Sequence, residues 1–260
     1  MLVNEKSGIK SRRGKFISYY GENDIDKHYF SKDYKIYSDK LSKFVVRCNE
    51  ASDGCVIDRI SALFRYIFID EIQDMAGDPR QVTYHTHFPQ KYKKYANGKI
   101  EDFIISECKS LAFNIDNETL RGSWRNNQII CDFANRIFPD YQKFKSLQTE
   151  TNQHKGVFLV REKDITMYLE EYKPIQLRYS RAKNVNLNYK SKNFGESKGG
   201  TFNHVLIYPT AKIENWLFNN EELDNFEIKC KFYVVVTRAR HSVAIVCKNN
   251  VKTDILPFYK

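Results

Sequence analysis

Residues 67–74 read Ile67-Phe68-Ile69-Asp70-Glu71-Ile72-Gln73-Asp74, an apolar run that stops on two adjacent carboxylates. Consecutive bulky apolar residues of this kind favour a buried β-strand. The strand's end carries the chemistry. A first acid there can hold a hydrated Mg²⁺ beside a nucleotide phosphate, and a second can orient an attacking water. Working outward, Val56, Ile57, Ile60, Leu63 and Phe64 recur at helical spacing, so residues 56–66 are expected to form a short amphipathic helix that delivers the chain into a 66–72 strand. Residues 100–108 are expected to form a second short helix after a Lys/Tyr-rich linker at 90–98. The spacing predicts a helix over 126–138, with Ile129, Ile130, Phe133, Ala134 and Ile137 on one face. The apolar runs 156–160, 205–208 and 243–246 are expected strands. Strands alternating with helices imply an α/β fold with a mostly parallel sheet.

The chain has 260 residues, 42% hydrophobic and 28% charged, enough for one large core or two modest ones. A net charge of +10 with 14% aromatic residues points to a polyanionic partner, with nucleic acid the leading class. No membrane span is evident, and Lys6, Lys10, Arg12 and Arg13 are not followed by an apolar core, so a cytoplasmic protein is expected. Six cysteines lack any Cys-x-x-Cys pair and are expected to be buried or free thiols. His85-x-His87 has no third ligand nearby and reads as loop rather than metal site.

Four further clusters follow in a fixed order: Gly77-Asp78-Pro79-Arg80-Gln81 with Tyr84, Trp124-Arg125 ahead of Phe133-Ala134-Asn135, Phe194 to Phe202 with Lys198, Gly199 and Thr201, and Phe232 to Arg240 with Thr237-Arg238. Together with Asp70-Glu71-Ile72-Gln73-Asp74, this series resembles motifs II to VI of the UvrD/Rep group of superfamily 1 DNA helicases. The resemblance implies a RecA-like P-loop NTPase fold of two α/β lobes, with ATP and Mg²⁺ as cofactors and single-stranded DNA as partner, translocated 3′ to 5′. It also implies roles. Asp70 would hold Mg²⁺, Glu71 would orient water, Gln81 would sense the γ-phosphate, and Arg125 and Arg238 would reach it across the cleft. Gln73, Asp74, Gly199 and Thr201 would line the nucleotide, and Tyr84 and Lys198 would touch DNA. Arginine suits phosphate because its planar fork stays charged and binds bidentately.

Two departures shape the expectations. No Gly-x-x-x-x-Gly-Lys-Ser/Thr occurs in these 260 residues, and Met75-Ala76 passes directly to Gly77-Asp78 where relatives insert a helix and a strand. The expected organisation is a peripheral segment at 1–55, a truncated first lobe at 56–118 and a more complete second lobe at 119–260. ATP hydrolysis by the chain alone is not expected, and a partner protein would supply the missing lobe. The alternative is a non-catalytic module that binds DNA or a partner. Residues 173–198 carry Lys173, Arg178, Arg181, Lys183, Lys190, Lys192 and Lys198 against Glu196 alone, with Tyr179, Tyr189 and Phe194 interleaved, and are the expected DNA-facing surface. Against these roles stand plainer ones: Arg125 and Arg238 as ordinary ion-pairing residues, the basic run as a solvated face, and Trp124 and Tyr84 as core aromatics.

Overall fold

The computed structural model describes residues 2–3, 9–10, 17–18, 20–21, 23–37, 40–65, 79–81, 94–95, 99–107 and 122–259. The chain divides into two compact units, Met1–Asp70 and Glu71–Lys260. The expected strand at 66–72 lies outside the described residues.

In the first unit, β1 (Leu2–Val3) pairs in parallel with β4 (Ile36–Tyr37), and β2 (Ile9–Lys10) pairs antiparallel with β3 (Ile17–Ser18). The helix α1 (Ile25–Tyr29) starts at Asp24, whose carboxylate accepts from the Lys27 backbone N–H. Tyr29 is buried against Phe44, with ring centroids 5.3 Å apart. Two longer helices follow, α2 (Leu41–Ala51) and α3 (Cys55–Leu63), joined through Gly54 at φ +92°, a left-handed turn that glycine adopts without strain. Neither helix buries a residue, and Ile57, Leu63 and Phe64 on the predicted amphipathic segment are all exposed.

The second unit holds the main core. A 3-10 turn spans Pro79–Gln81, and α4 (Ile100–Glu107) is tied by Tyr95 Oη donating to Glu107 Oε1 at 2.7 Å. Next come β5 (Gly122–Ser123), α5 (Gln128–Ile137), β6 (Lys145–Ser146), β7 (Gly156–Arg161), α6 (Ile165–Tyr172), β8 (Ile175–Arg178), β9 (Ser191–Asn193), β10 (Phe202–Tyr208), α7 (Ala211–Phe218), α8 (Phe226–Thr237) and β11 (Ala239–Cys247). Strands β7 to β11 form one sheet in the order β7-β11-β10-β8-β9, parallel throughout. The lobe is α/β with a parallel sheet, as the alternation of strands and helices in the sequence predicts. Parallel sheets need cover on both faces. Val205, Ile207, Val243 and Ile245 face a core shared with α5, α7 and α8, and Leu206, Tyr208, Ala244 and Val246 face Tyr168 and Leu169 of α6. One edge is also covered, since Leu159 N–H donates to Pro257 O at 2.9 Å and Tyr259 N–H to Leu159 O at 2.8 Å.

Helix α8 contains Val234-Val235-Val236, a run that taken alone favours a strand. It is helical because Asn225 caps it, with Oδ1 accepting from Ile228 N–H at 2.9 Å, and because it is buried all round from Phe232 to Thr237. On α5, Ile130, Phe133, Ala134 and Ile137 are buried as the periodicity predicts, whereas Ile129 is 49% exposed and falls off the apolar face. The basic stretch 173–198 also needs correction as a continuous surface. Ile175, Gln176 and Leu177 form a core strand and Phe194 is fully buried, while Lys173, Arg181, Lys183, Lys190 and Lys192 are exposed.

Candidate functional site

In a parallel sheet, every loop that enters a strand opens on the same, amino-terminal edge. Residues 198–201 enter β10 there, and Thr237 and Arg238 enter β11. Strand register places Phe202 opposite Ala239, and Phe202 N–H donates to Arg238 O at 2.9 Å. The third contributor is the N-terminus of α5. Asn126, 2% exposed, donates through Nδ2 to Thr237 O at 3.0 Å and to Ala239 O at 2.7 Å. Its Oδ1 accepts from Ser123 Oγ at 2.8 Å. Asn127 caps α5, with Oδ1 accepting from Ile130 N–H at 3.1 Å, while its Nδ2 donates to His241 O at 2.7 Å. Gln148 Nε2 joins the two loops by donating to Arg125 O at 2.6 Å and to Arg240 O at 3.2 Å.

This scaffold holds the two candidate arginines on either side of Thr237. Arg125 is half-buried and donates through Nη1 to Thr237 O at 3.4 Å. Arg238 is 5% exposed, donates through Nε to Val234 O at 3.3 Å and through Nη2 to Gln81 Oε1 at 3.3 Å. A buried guanidinium is costly unless its donors are met, and Gln81 and the last turn of α8 meet two of them. Arg80 holds Gln81 in place: its guanidinium lies 4.8 Å from the Tyr233 ring centroid and donates to Gln142 O at 3.4 Å. Arg240 pairs with Glu150, which also lies 3.7 Å from His241 Nε2. The edge therefore gathers Gln81, Arg125 and Arg238 around the end of α8, with Arg125 the more open of the two guanidinium groups.

Gly199 and Thr201 lie in the loop that enters β10, with Gly199 at φ +76°, a conformation glycine supplies without strain. Lys198 is half-buried on the same loop. Lys183, Lys190 and Lys192 are exposed, and Lys192 Nζ lies 5.8 Å from the Phe202 ring centroid. Trp124 is 75% exposed beside Arg125. Asp70, Glu71, Gln73, Asp74 and Tyr84 lie outside the described residues, and so does the Mg²⁺ position assigned to Asp70. Among the described residues no group of three His, Cys, Asp or Glu side chains is placed to hold a metal, and Cys48, Cys55, Cys131, Cys230 and Cys247 are free thiols.

The sequence motifs assign no role to Asn126, Asn127, Gln148, Glu150 or Arg240. Asn126-Asn127 directly after Arg125 was a legible cap signal, whereas Gln148 and Glu150 sit in a loop with no pattern. A second polar cluster also went unread, on the sheet face that α6 covers. His154 Nε2 lies 2.9 Å from Tyr168 Oη, and His204 Nδ1 lies 2.8 Å from Ser242 Oγ. His154 stacks on Tyr172 with centroids 3.6 Å apart. Burial, reinforced by His154 and His241, pushes the His204 imidazole down to about 4, and burial lowers His154 as well. The hydrogen bond to Glu171 pushes the Tyr172 phenol up to about 12.

No family model matches the sequence, and no curated protein matches it. Among solved structures, the chain is similar to PRRSV nsp10 (helicase) at 22% identity, covering 50% of this chain and 24% of that one, with a TM-score of 0.31. It is similar to arterivirus nonstructural protein 10 (helicase) at 18% identity, covering 54% of this chain and 28% of that one, with a TM-score of 0.31. It is also similar to the C-terminal domain of a possible DNA helicase from Lactobacillus plantarum at 14% identity, covering 53% of this chain and 99% of that domain, with a TM-score of 0.34. The matched part of the chain thus spans about a quarter of the length of the viral helicases. Identity and TM-score are low in every one of these matches.

Proposed function

We propose that the chain works as part of a UvrD/Rep-like, ATP-dependent DNA helicase that moves 3′ to 5′ on single-stranded DNA, with residues 119–260 as its second RecA-like lobe. The observation that carries this reading is the meeting of Gln81, Arg125 and Arg238 at the end of α8, held by Asn126 bridging Thr237 O and Ala239 O. Arg125 and Arg238 stabilise charge that develops on the γ-phosphate. Gln81, bonded to Arg238, carries the state of that phosphate into α8. Trp124, exposed beside Arg125, offers a flat apolar face to a base. Gly199 and Thr201 lie along the nucleotide, and Tyr84, Lys183, Lys190, Lys192 and Lys198 contact the DNA backbone. ATP and Mg²⁺ would supply the phosphoryl group and its charge neutralisation, with Asp70 as metal ligand, Glu71 as water-orienting base, and Gln73 and Asp74 beside them.

These groups act on a triphosphate that must first be cradled by backbone N–H groups and a lysine. A partner protein bearing that cradle completes the site. Phosphate release from Mg-ATP with excess single-stranded DNA tests this. The chain alone is expected to give no turnover; ready turnover that Glu71→Gln abolishes would overturn that part of the reading. A non-catalytic DNA-binding module is the second reading, favoured by the absence of Gly-x-x-x-x-Gly-Lys-Ser/Thr from residues 1–260. Stimulation of turnover on mixing with a P-loop-bearing lobe, lost in Arg238→Ala, separates the helicase reading from it.

A further inference from the structure

Between β8 and β9 the chain turns through residues 179–190, and Leu187 at its tip is 87% exposed, more than any other large apolar side chain among the described residues. A single exposed leucine on a loose loop needs no explanation. This loop, however, is held from inside the protein. Gln176 of β8 is fully buried, and its Oε1 accepts from Asn186 N–H at 3.0 Å while its Nε2 donates to Asn186 O at 2.7 Å and to Tyr189 O at 3.4 Å. Tyr208 Oη fixes the amide by donating to Gln176 Oε1 at 2.8 Å. Arg178 Nη1 donates to Lys183 O at 2.9 Å, and Val185 and Tyr189 pack on the core under α6. A buried amide placed in a core strand is costly unless satisfied, and here its hydrogen bonds go to the loop that presents Leu187. The tip is also electrostatically one-sided. No Asp or Glu occurs from Lys173 through Gly195, while Arg181, Lys183, Lys190 and Lys192 are all exposed.

A rigid apolar tip within a basic field fits an anionic partner whose apolar surface lies behind its charges. Single-stranded nucleic acid is such a partner, because its bases expose their faces between phosphates. Apolar side chains are known to enter base steps in this way, and a pre-ordered tip loses little entropy on doing so. We propose that Leu187 inserts between neighbouring bases of a bound single strand while the surrounding lysines and arginines hold its phosphates. The proposal rests on the nucleic-acid reading above and assigns the base-contacting part of it to one side chain.

The test uses the full chain and a single-stranded DNA oligonucleotide carrying 2-aminopurine, whose fluorescence rises when it is unstacked. The wild type is expected to raise the signal, and Leu187→Ala to lose most of that rise and about five- to tenfold in affinity. The slope of log affinity against log salt should not change in Leu187→Ala. A Lys183→Ala/Lys190→Ala variant is expected to keep the rise at saturation while its salt slope falls by about 1.4, from about 0.7 per phosphate contact. Equal rise and affinity in wild type and Leu187→Ala would overturn the insertion alone. A Leu187-dependent affinity for phosphatidylserine vesicles, with no 2-aminopurine response, would overturn it in favour of a membrane surface. A wild type that stays folded by circular dichroism yet binds no oligonucleotide at low salt would remove the nucleic-acid reading itself.

Discussion

Asn126 holds the candidate site by one amide, since its Nδ2 serves both Thr237 O and Ala239 O and its Oδ1 takes the Ser123 hydroxyl. In Asn126→Ala the two carbonyls lose this donor in a buried place. The expected loss of stability is about 2–4 kcal/mol, read as a lower urea midpoint at unchanged m-value; a shift of less than about 0.5 kcal/mol, the size of an ordinary surface substitution, would mean that the bridge does not organise this edge. Arg238 gives a second prediction. Its Nε bond to Val234 O and Nη2 bond to Gln81 both need the guanidinium fork. Arg238→Lys should therefore lower the melting temperature although charge is kept, and Gln81→Ala in that background should cost less than Gln81→Ala in the wild type. Additive losses in this cycle would show that the two side chains do not act together. Arg125 and Arg238 could be singled out in the sequence as candidates because each stands in a short motif. Gln148 could not, since its bonds to Arg125 O and Arg240 O reach 23 and 92 residues along the chain.

Among the elements, α6 is pinned to the sheet by Tyr168 and Tyr172, which meet His154, and Tyr168 and His204 in turn meet Ser242 of β11. His204 sits in the folded protein with its imidazole lowered to about 4 from the ordinary value near 6.5. The unfolded chain binds that proton first as acid is added. The stability due to neutral His204 is therefore fully present above about pH 6.5 and is lost progressively as pH falls towards about 4. Urea midpoints across that window should fall with acid in the wild type and fall less in His204→Gln; parallel curves would contradict the assignment. The strands β7, β10 and β11 could be read from their apolar runs. Strand β8 could not, because Ile175–Arg178 is four residues long and places Gln176 in the core. The valine run of α8 conceals a helix for a related reason: tertiary burial and the Asn225 cap outweigh local β-propensity.

For the whole molecule, the five-stranded parallel sheet with helices on both faces makes the C-terminal part the cooperative core. Limited proteolysis is expected to leave a stable fragment beginning near residue 115. Early cleavage inside residues 205–246, where β10, α7, α8 and β11 supply most of the core, would contradict this order of stability. The basic excess acts at the same scale. Replacing Lys183, Lys190 and Lys192 with Ala should weaken single-stranded DNA binding alike for all sequences and reduce its salt dependence; unchanged affinity would take that surface out of the account. The central claim concerns the triphosphate, and it is tested most directly by phosphorus NMR of Mg-ATP, held by a P-loop-bearing lobe, titrated with the folded chain. The γ-phosphate resonance is predicted to shift or broaden more than the α-phosphate resonance, and the difference is predicted to vanish in Arg125→Ala/Arg238→Lys. Identical spectra with wild type and variant, or no perturbation of any phosphate by the wild type, would contradict the account.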